Sequence, residues 1–253
     1  MTITFLGTGT SQGVPVIGCG CEVCASIDYR DKRLRSSVFV QTDGLNLIID
    51  TGPDFRQQIL RERIRKLDAV LFTHEHKDHT AGLDDIRAFN YLQKTDMPVF
   101  AREKVIHQIQ REFAYIFTDK KYPGIPKVQM HEILKEPFFI NDLKIMPIEI
   151  MHYRLPIIGF RIKDFTYITD ANFISEEELE KIEGTKVLVL NALQNSPHIS
   201  HFTLQEAIDV ALKIKAEKTF FTHISHNLGS HKKVSAVLPE NIFLGYDGLK
   251  VSL

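Results

Sequence analysis

Five short apolar runs in this chain break off at a histidine or an aspartate. "AVLF" is followed by His74, His76, Asp78 and His79, "IMPIEIM" by His152, "FTYIT" by Asp170 and "KTFFT" by His223, while "NLII" runs into Asp50. Runs of this length and type read as strands. Residues at strand ends on one rim of a sheet converge although they are far apart in sequence, which is how an α/β scaffold builds a site. The densest stretch is "LFTHEHKDHTAGLDD", Leu71 to Asp85. A plain polar loop explains it poorly, because such side chains crowded beside an apolar strand repel when protonated and need partners if buried.

The runs "TITFLG", "SSVFVQT", "MPVFA", "GFRIK", "KVLVLNA", "IFLGYDG" and "LKVSL" also read as strands. Helices are predicted from Phe55 to Lys66, from Gly82 through Leu92 and from Lys104 to Phe117. Two more start at capping boxes, Ser175 with Glu178 and Thr203 with Glu206, where hydroxyl and carboxylate satisfy free amides at a helix start. Many strands with helices between them predict a layered α/β protein, sheets inside and helices outside. No low-complexity linker, short-period repeat or boundary divides the chain, so one domain over residues 1–253 is expected. The stretch from Thr118 to Glu132, rich in Pro, Gly and Lys, reads as a surface insertion.

Composition bounds the partners. A hydrophobic share of 43% over 253 residues is enough for a sizeable core. Lys plus Arg (31) nearly balance Asp plus Glu (32), so no general field draws the chain to nucleic acid or anionic lipid. "MTITFLGTGT" lacks the basic start and apolar block of a secretory signal, and no segment has the uninterrupted apolar length of a membrane span. The cytoplasm is the expected location. Cys19, Cys21 and Cys24 are the only cysteines, an odd count in one tight cluster that suits a reducing compartment and a metal better than disulfides.

Imidazole and carboxylate are ligands for Zn²⁺, Mn²⁺ and Fe²⁺, and a two-metal hydrolytic site needs several of them around a bridging carboxylate. His74 and His76, two apart on a tight turn, can face one ion while Asp78 and His79 turn toward a second. "THEHKDH" resembles the HxHxDH signature of the metallo-β-lactamase superfamily. "FLGTGTSQGVP", "IIDTG" and "FFTHISH" resemble its phosphodiesterase branch, which includes tRNase Z and the cyclic phosphodiesterase PhnP, and the likeness runs from Thr4 to Asp247. The resemblance implies an αββα sandwich, two mixed sheets flanked by helices, with a dinuclear site on one edge. It implies His74, His76 and His152 as ligands of one metal, Asp78, His79 and His223 as ligands of the other, and Asp170 as the bridge. His226 competes with His223, but His223 lies closer to the strand end. Asp50 resembles an acid that orients a ligand histidine.

"CGCEVC" is a CxCxxC cluster in which three thiolates leave one position of a tetrahedral zinc open. Free thiols in a glycine-bearing loop are the alternative, and they would oxidise readily. PhnP-like proteins resemble the chain here too, which implies a structural zinc on Cys19, Cys21, Cys24 and His226.

The expected function is hydrolysis of a small or cyclic phosphodiester through hydroxide activated by two divalent ions, Zn or Mn, with Asp78 and His201 among the catalytic groups. His201 resembles the family's phosphate-contacting histidine and is the expected general acid; His198 is the competing choice. Arg33, Arg35, Arg87 and Arg154 could line the pocket, and none is singled out. His107, His131 and His231 read as solvated. A tRNase Z-like endoribonuclease is the nearest rival, disfavoured by the lack of a long basic arm and by the net charge of −1. A β-lactam or thioester hydrolase of the same fold is disfavoured by aspartate at position 170, and a flavodiiron-type redox module by His76. The expected partners are a small phosphodiester and no membrane, with large nucleic acid disfavoured and a homodimer as the oligomer to test for.

Overall fold

The computed structural model describes residues 1–118 and 123–253. One sheet holds β1 (Thr2–Gly7), β2 (Ser37–Thr42), β3 (Leu45–Ile49), β4 (Ala69–Leu71), β5 (Met97–Ala101), β6 (Val128–Glu132) and β14 (Lys250–Ser252), in the order β14-β1-β2-β3-β4-β5-β6. The other holds β7 (Phe138–Ile140), β8 (Leu143–His152), β9 (Leu155–Ile162), β10 (Phe165–Tyr167), β11 (Val187–Asn191), β12 (Lys218–Thr222) and β13 (Ile242–Leu244), in the order β13-β12-β11-β10-β9-β8-β7. Each sheet is mixed: β1 to β3 pair antiparallel and β3 to β6 parallel, while β7 to β10 pair antiparallel and β10 to β13 parallel.

The strands are apolar on both faces because both faces are covered. Ile3, Phe5, Leu47, Ile49, Val187 and Val189 point between the sheets and meet Phe160, Phe165 and Tyr167 there. Their neighbours one residue along face the opposite way, as the period of two requires. Leu6, Ile48 and Val70 pack outward under helices α2 (Phe55–Glu62), α4 (Arg87–Gln93) and α5 (Glu103–Glu112). Leu188, Leu190 and Phe221 pack under α6 (Glu176–Ile182), α7 (Leu204–Ile214) and α8 (His231–Ser235). The architecture is the expected αββα sandwich. Two single-turn helices, α1 (Glu22–Ala25) and α3 (Lys77–Thr80), lie in the loops that carry the cysteines and the "HEHKDH" stretch.

Several boundaries differ from the sequence reading. The first helix stops at Glu62, not Lys66, because Arg63 turns left-handed (φ 54°) and its N–H closes on the carbonyls of Ile59 and Leu60. The second begins as a 3-10 turn, Leu83–Ile86, before α4, and the third ends at Glu112, where Phe113 leaves helical geometry ahead of another 3-10 turn, Ala114–Ile116. The expected insertion from 118 to 132 includes residues 119–122, outside those described, but Val128–Glu132 is strand β6, paired parallel with β5. β9 starts at Leu155, ahead of "GFRIK", and the short strand β7 had no counterpart in the reading. The box at Thr203 is reciprocal, whereas at Ser175 only the hydroxyl caps: the Glu178 carboxylate accepts instead from the Glu149 N–H and Lys181 Nζ. No helix among the described residues is long and apolar enough to cross a membrane.

Candidate metal centre

The ends of β3, β4, β8, β10 and β12 deliver their polar residues to one edge of the sandwich. Three of these polar residues are themselves left-handed: Asp50 (φ 66°), Asp170 (φ 60°) and His223 (φ 54°). Each such residue costs about 1–2 kcal/mol in backbone sterics, and backbone strain of this kind gathers at functional sites. The chain after Asp50 then runs tight against α3. A Cβ on Gly52 would sit 2.1 Å from the Asp78 carbonyl oxygen, so only glycine allows the approach. In that contact the Thr51 N–H donates to the His79 carbonyl at 2.7 Å.

His74, His79, His152 and His223 are each held by one ring nitrogen, which aims the other. His79 donates from Nδ1 to Asp50 Oδ2 at 2.7 Å, and Asp50 also accepts from the N–H and hydroxyl of Thr73 at 2.9 and 2.8 Å. His152 donates from Nδ1 to the carbonyls of Asp170 (2.7 Å) and Ser200 (3.0 Å). Nδ1 of His74 lies 2.9 Å from Thr73 Oγ1, and its Nε2 faces His76 Nδ1 at 3.1 Å. The ring centroids of His74, His76 and His152 are 4.6 to 5.7 Å apart. His223 sets Nε2 on Thr10 Oγ1 at 3.1 Å and turns Nδ1 to Asp170 Oδ2 at 3.2 Å. These anchors fix tautomer and orientation, the arrangement that metal-bound imidazoles require.

Asp170 is the hub. Its Oδ2 lies 3.3 Å from His79 Nε2 and 3.2 Å from His223 Nδ1, its Oδ1 3.0 Å from His201 Nε2, and it is 2% exposed. Burial pushes this carboxyl up, yet the charges of His223 and His79 and the hydrogen bonds to His201 and His79 hold it well below the usual range. Asp78, likewise pushed up by burial, is held low by His79. Burial drives His74 well below the ordinary histidine range and His223 down to about 4, whereas in His79 the carboxylates of Asp78, Asp170 and Asp50 overcome burial and raise it. His74 and His223 are thus neutral imidazoles beside ionised carboxylates, the state in which such groups act as metal ligands, while His79 keeps its proton against three carboxylates until a cation takes its place.

The donor set fits divalent cations. Asp78, His79, Asp170 and His223 place one ligand atom each within 4.8 Å of one another, as do His152, Asp170 and His201, and Asp170 belongs to both groups. His79 Nε2 is buried between two carboxylates, 3.1 Å from Asp78 Oδ2 and 3.3 Å from Asp170 Oδ2, and aligned with neither as a full hydrogen bond. A basic nitrogen aimed between two carboxylates is the geometry of a ligand. Imidazole with carboxylate admits Zn²⁺, Mn²⁺ or Fe²⁺.

The cysteines form a second group. Cys19, Cys21 and Cys24 also bring their sulfurs within 4.8 Å of one another and of a His226 ring nitrogen. His226 Nδ1 lies 3.4 Å from Cys19 Sγ and 3.3 Å from Cys21 Sγ. The Cys24 N–H, then His226, lower the Cys21 thiol to about 6, while burial raises Cys24 to about 11. The set could hold a tetrahedral zinc.

The structure therefore brings His74, His76, Asp78, His79, His152, Asp170, His223 and Asp50 to one edge, with His201 among them, and sets His226 on the cysteines. His198 lies outside this group, with its Nδ1 3.1 Å from that of His201. Of the arginines considered for the pocket, Arg33 is buried and spent on Thr8, the Gly245 carbonyl and His231, Arg35 pairs with Asp54, and Arg87 with Asp84. Arg154 lies over the Tyr153 ring, two residues past His152. His231 is not solvated as expected: it is 5% exposed, its Nδ1 accepts from Arg33, and burial lowers it to about 4. The sequence reading missed the hydroxyls that set the ligands: Thr10, Thr73, Thr169 and Ser200. A usable signal was present, since Thr73, Thr169 and Thr222 directly precede His74, Asp170 and His223.

Residues 45–224 match the β-lactamase superfamily domain, and the chain belongs to that superfamily. It has the metallo-β-lactamase fold and is PhnP-like in kind. The crystal structure of a diphosphatase from the PhnP family is 42% identical to it, with a TM-score of 0.93 over 100% of this chain and 97% of that one. A protein of Porphyromonas gingivalis named octanoyltransferase is 41% identical over 99% of this chain, and the chain spans 51% of that relative's length. Ribonuclease Z of Anoxybacillus flavithermus is 23% identical over 89% of this chain and 87% of its own.

Proposed function

We propose that this chain is a two-metal phosphodiesterase that cleaves a small phosphate diester, a diphosphate link included. The observation that carries the reading is the Asp170 carboxylate, which lies within ligand reach of Asp78, His79 and His223 on one side and of His152 and His201 on the other. An oxygen ligand shared by two imidazole groups suits paired ions, and aspartate rather than thiolate here favours oxygen-rich chemistry. The likeness to a PhnP-family diphosphatase supports the same class of bond. His74, His76 and His152 would hold one ion, Asp78, His79 and His223 the other, with Asp170 between. When bound, such ions polarise a phosphoryl oxygen and acidify a water molecule.

The chain's own residues do the rest. Asp50 and the carbonyls of Asp170 and Ser200 fix His79 and His152 so that their Nε2 atoms point inward. Asp78, held ionised by His79, would orient the attacking water, whose proton leaves to solvent as hydroxide forms. As the proton donor His201 would carry hydrogen on both ring nitrogens, giving Nδ1–H to the Ser200 hydroxyl at 3.0 Å and passing the Nε2 proton to the leaving oxygen, which leaves a neutral imidazole. Cys19, Cys21, Cys24 and His226 would hold a structural zinc that pins the amino-terminal loop beside this edge. The octanoyltransferase name belongs to a protein about twice as long and is not carried over.

The test is turnover by the Mn²⁺- or Zn²⁺-loaded protein of bis(p-nitrophenyl) phosphate, a cyclic phosphodiester and a dinucleoside diphosphate, beside nitrocefin, an octanoyl thioester and a pre-tRNA. Hydrolysis concentrated in the first three supports the reading. Turnover confined to nitrocefin, the thioester or the pre-tRNA overturns it.

A further inference from the structure

Tyr167 is fully buried in the apolar layer between the sheets, packed with Phe160 and Phe165, and its hydroxyl has no hydrogen-bond partner among the described residues. A phenol in that position is costly, because a buried donor left unmade loses its water without replacement. Phenylalanine would fill the same space without the loss. The position of the ring gives the hydroxyl a use. Tyr167 ends β10, and residues two apart along extended chain share a face about 6.5 Å apart. Thr169 is the residue two further on, and Asp170 follows it at the left-handed turn. The Thr169 hydroxyl donates to Asp170 Oδ2 at 2.6 Å, which leaves its lone pairs free to accept, with His223 Nδ1 only distantly placed at 3.5 Å. The groups that act electrostatically on the phenol are those of the metal edge. Burial, then the charges of Asp50 and Asp170, push its pKa well up, against the charge of His79 and the Thr169 hydroxyl, which lies within reach of the phenol without meeting full hydrogen-bond geometry.

We propose that Tyr167 is a positioning residue of the metal centre: in the loaded protein its hydroxyl donates to Thr169 Oγ1, and the two hydroxyls in series fix the Asp170 carboxylate in the orientation that two ions share. The proposal rests on the two-metal reading above. Its chemistry is a hydrogen-bond chain running from inside the sandwich to the bridging oxygen. Outer groups of this kind tune metal affinity about 10- to 100-fold.

The experiment compares the wild type with Tyr167→Phe using Mn²⁺ alone as the probe. In the metal-free protein, Tyr167→Phe leaves the melting temperature unchanged or raises it. In the Mn²⁺ titration, affinity at the edge falls about tenfold. In a Thr169→Val background Tyr167→Phe has no further effect on affinity, since the chain is already cut, while Thr169→Ser, which keeps the hydroxyl, retains wild-type affinity. Mn²⁺ affinity of Tyr167→Phe within twofold of wild type overturns the proposal, as does full additivity with Thr169→Val. A wild-type edge that takes one ion counts against the two-metal reading, while the Tyr167 comparison is still decided on that ion's affinity.

Discussion

The histidine-aspartate edge and the cysteine loop both gather ligand atoms within 4.8 Å, yet they are built in opposite ways. At the edge, His74, His79, Asp170 and His223 are at most 2% exposed and hang from the ends of strands packed on both faces. Each is oriented by a separate protein group: Thr73, Asp50, Thr169 or Thr10. In the loop, Cys21 is exposed and caps a helix of one turn, and the sulfurs receive backbone N–H groups from Val16 and Cys24 of the loop and face the His226 ring. The edge is preorganised by the sandwich, whereas the loop depends on what its sulfurs bind. The two meet at the exit of β12, where His223 and His226 are three residues apart and the Thr10 N–H donates to the intervening Ile224 carbonyl.

The comparison breaks most sharply at Asp170. Asp170→Ala removes the shared carboxylate, so phosphodiester turnover falls at least ~10³-fold, while elemental analysis still finds zinc on the cysteines. Loss of both metal populations together would mean that the two regions are one. Next in size, His201→Ala lowers turnover by about 10²- to 10⁴-fold if it acts as proton donor, with metal content unchanged. Because His201 Nε2 reaches Asp170 as closely as the ligand histidines do, a parallel loss of metal would move His201 from acid to ligand.

Cys21→Ser addresses the other region. It releases the loop's metal and lowers the melting temperature by roughly 5–10 °C, yet edge metal affinity changes only modestly, since the edge ligands keep their own anchors. Calorimetry beside metal analysis checks both parts. The smallest effect concerns His231, buried behind the loop against Arg33 and Asp31. Its folded pKa of about 4 lies below the unfolded value of about 6.5. Between these values the unfolded chain binds the extra proton, so stability falls as pH drops through that window and is fully present above it. His231→Gln, which keeps an acceptor for Arg33, should reduce the acid-side loss of melting temperature by about 3 °C between pH 7 and pH 4. An unchanged pH profile would show that the proton goes elsewhere.

The layered α/β class was legible because apolar runs and their polar stops are written locally, while the two-sheet sandwich came from the resemblance carried by "THEHKDH" and its companion stretches. The ends of "NLII", "AVLF", "FTYIT" and "KTFFT" announced the edge before any coordinates. Less legible was everything set by tertiary context. Left-handed turns at Asp50, Asp170 and His223 run against the conformational preference of residues with a side chain and exist because the surrounding packing holds them. β6 was hidden by the Pro- and Lys-rich stretch in which it is embedded, and its parallel partner β5 lies some thirty residues earlier. Arg33 was one of four candidates for the pocket and His231 read as solvated, because burial of a charged or titratable side chain depends on partners, here Thr8, Gly245 and each other, that come from remote parts of the chain.

The most direct test is the electron paramagnetic resonance spectrum of the protein loaded with Mn²⁺ at the edge. Two ions joined through one carboxylate give an exchange-coupled spectrum that collapses in Asp170→Ala. A spectrum of isolated Mn²⁺ at full loading, unchanged by that substitution, would contradict the account.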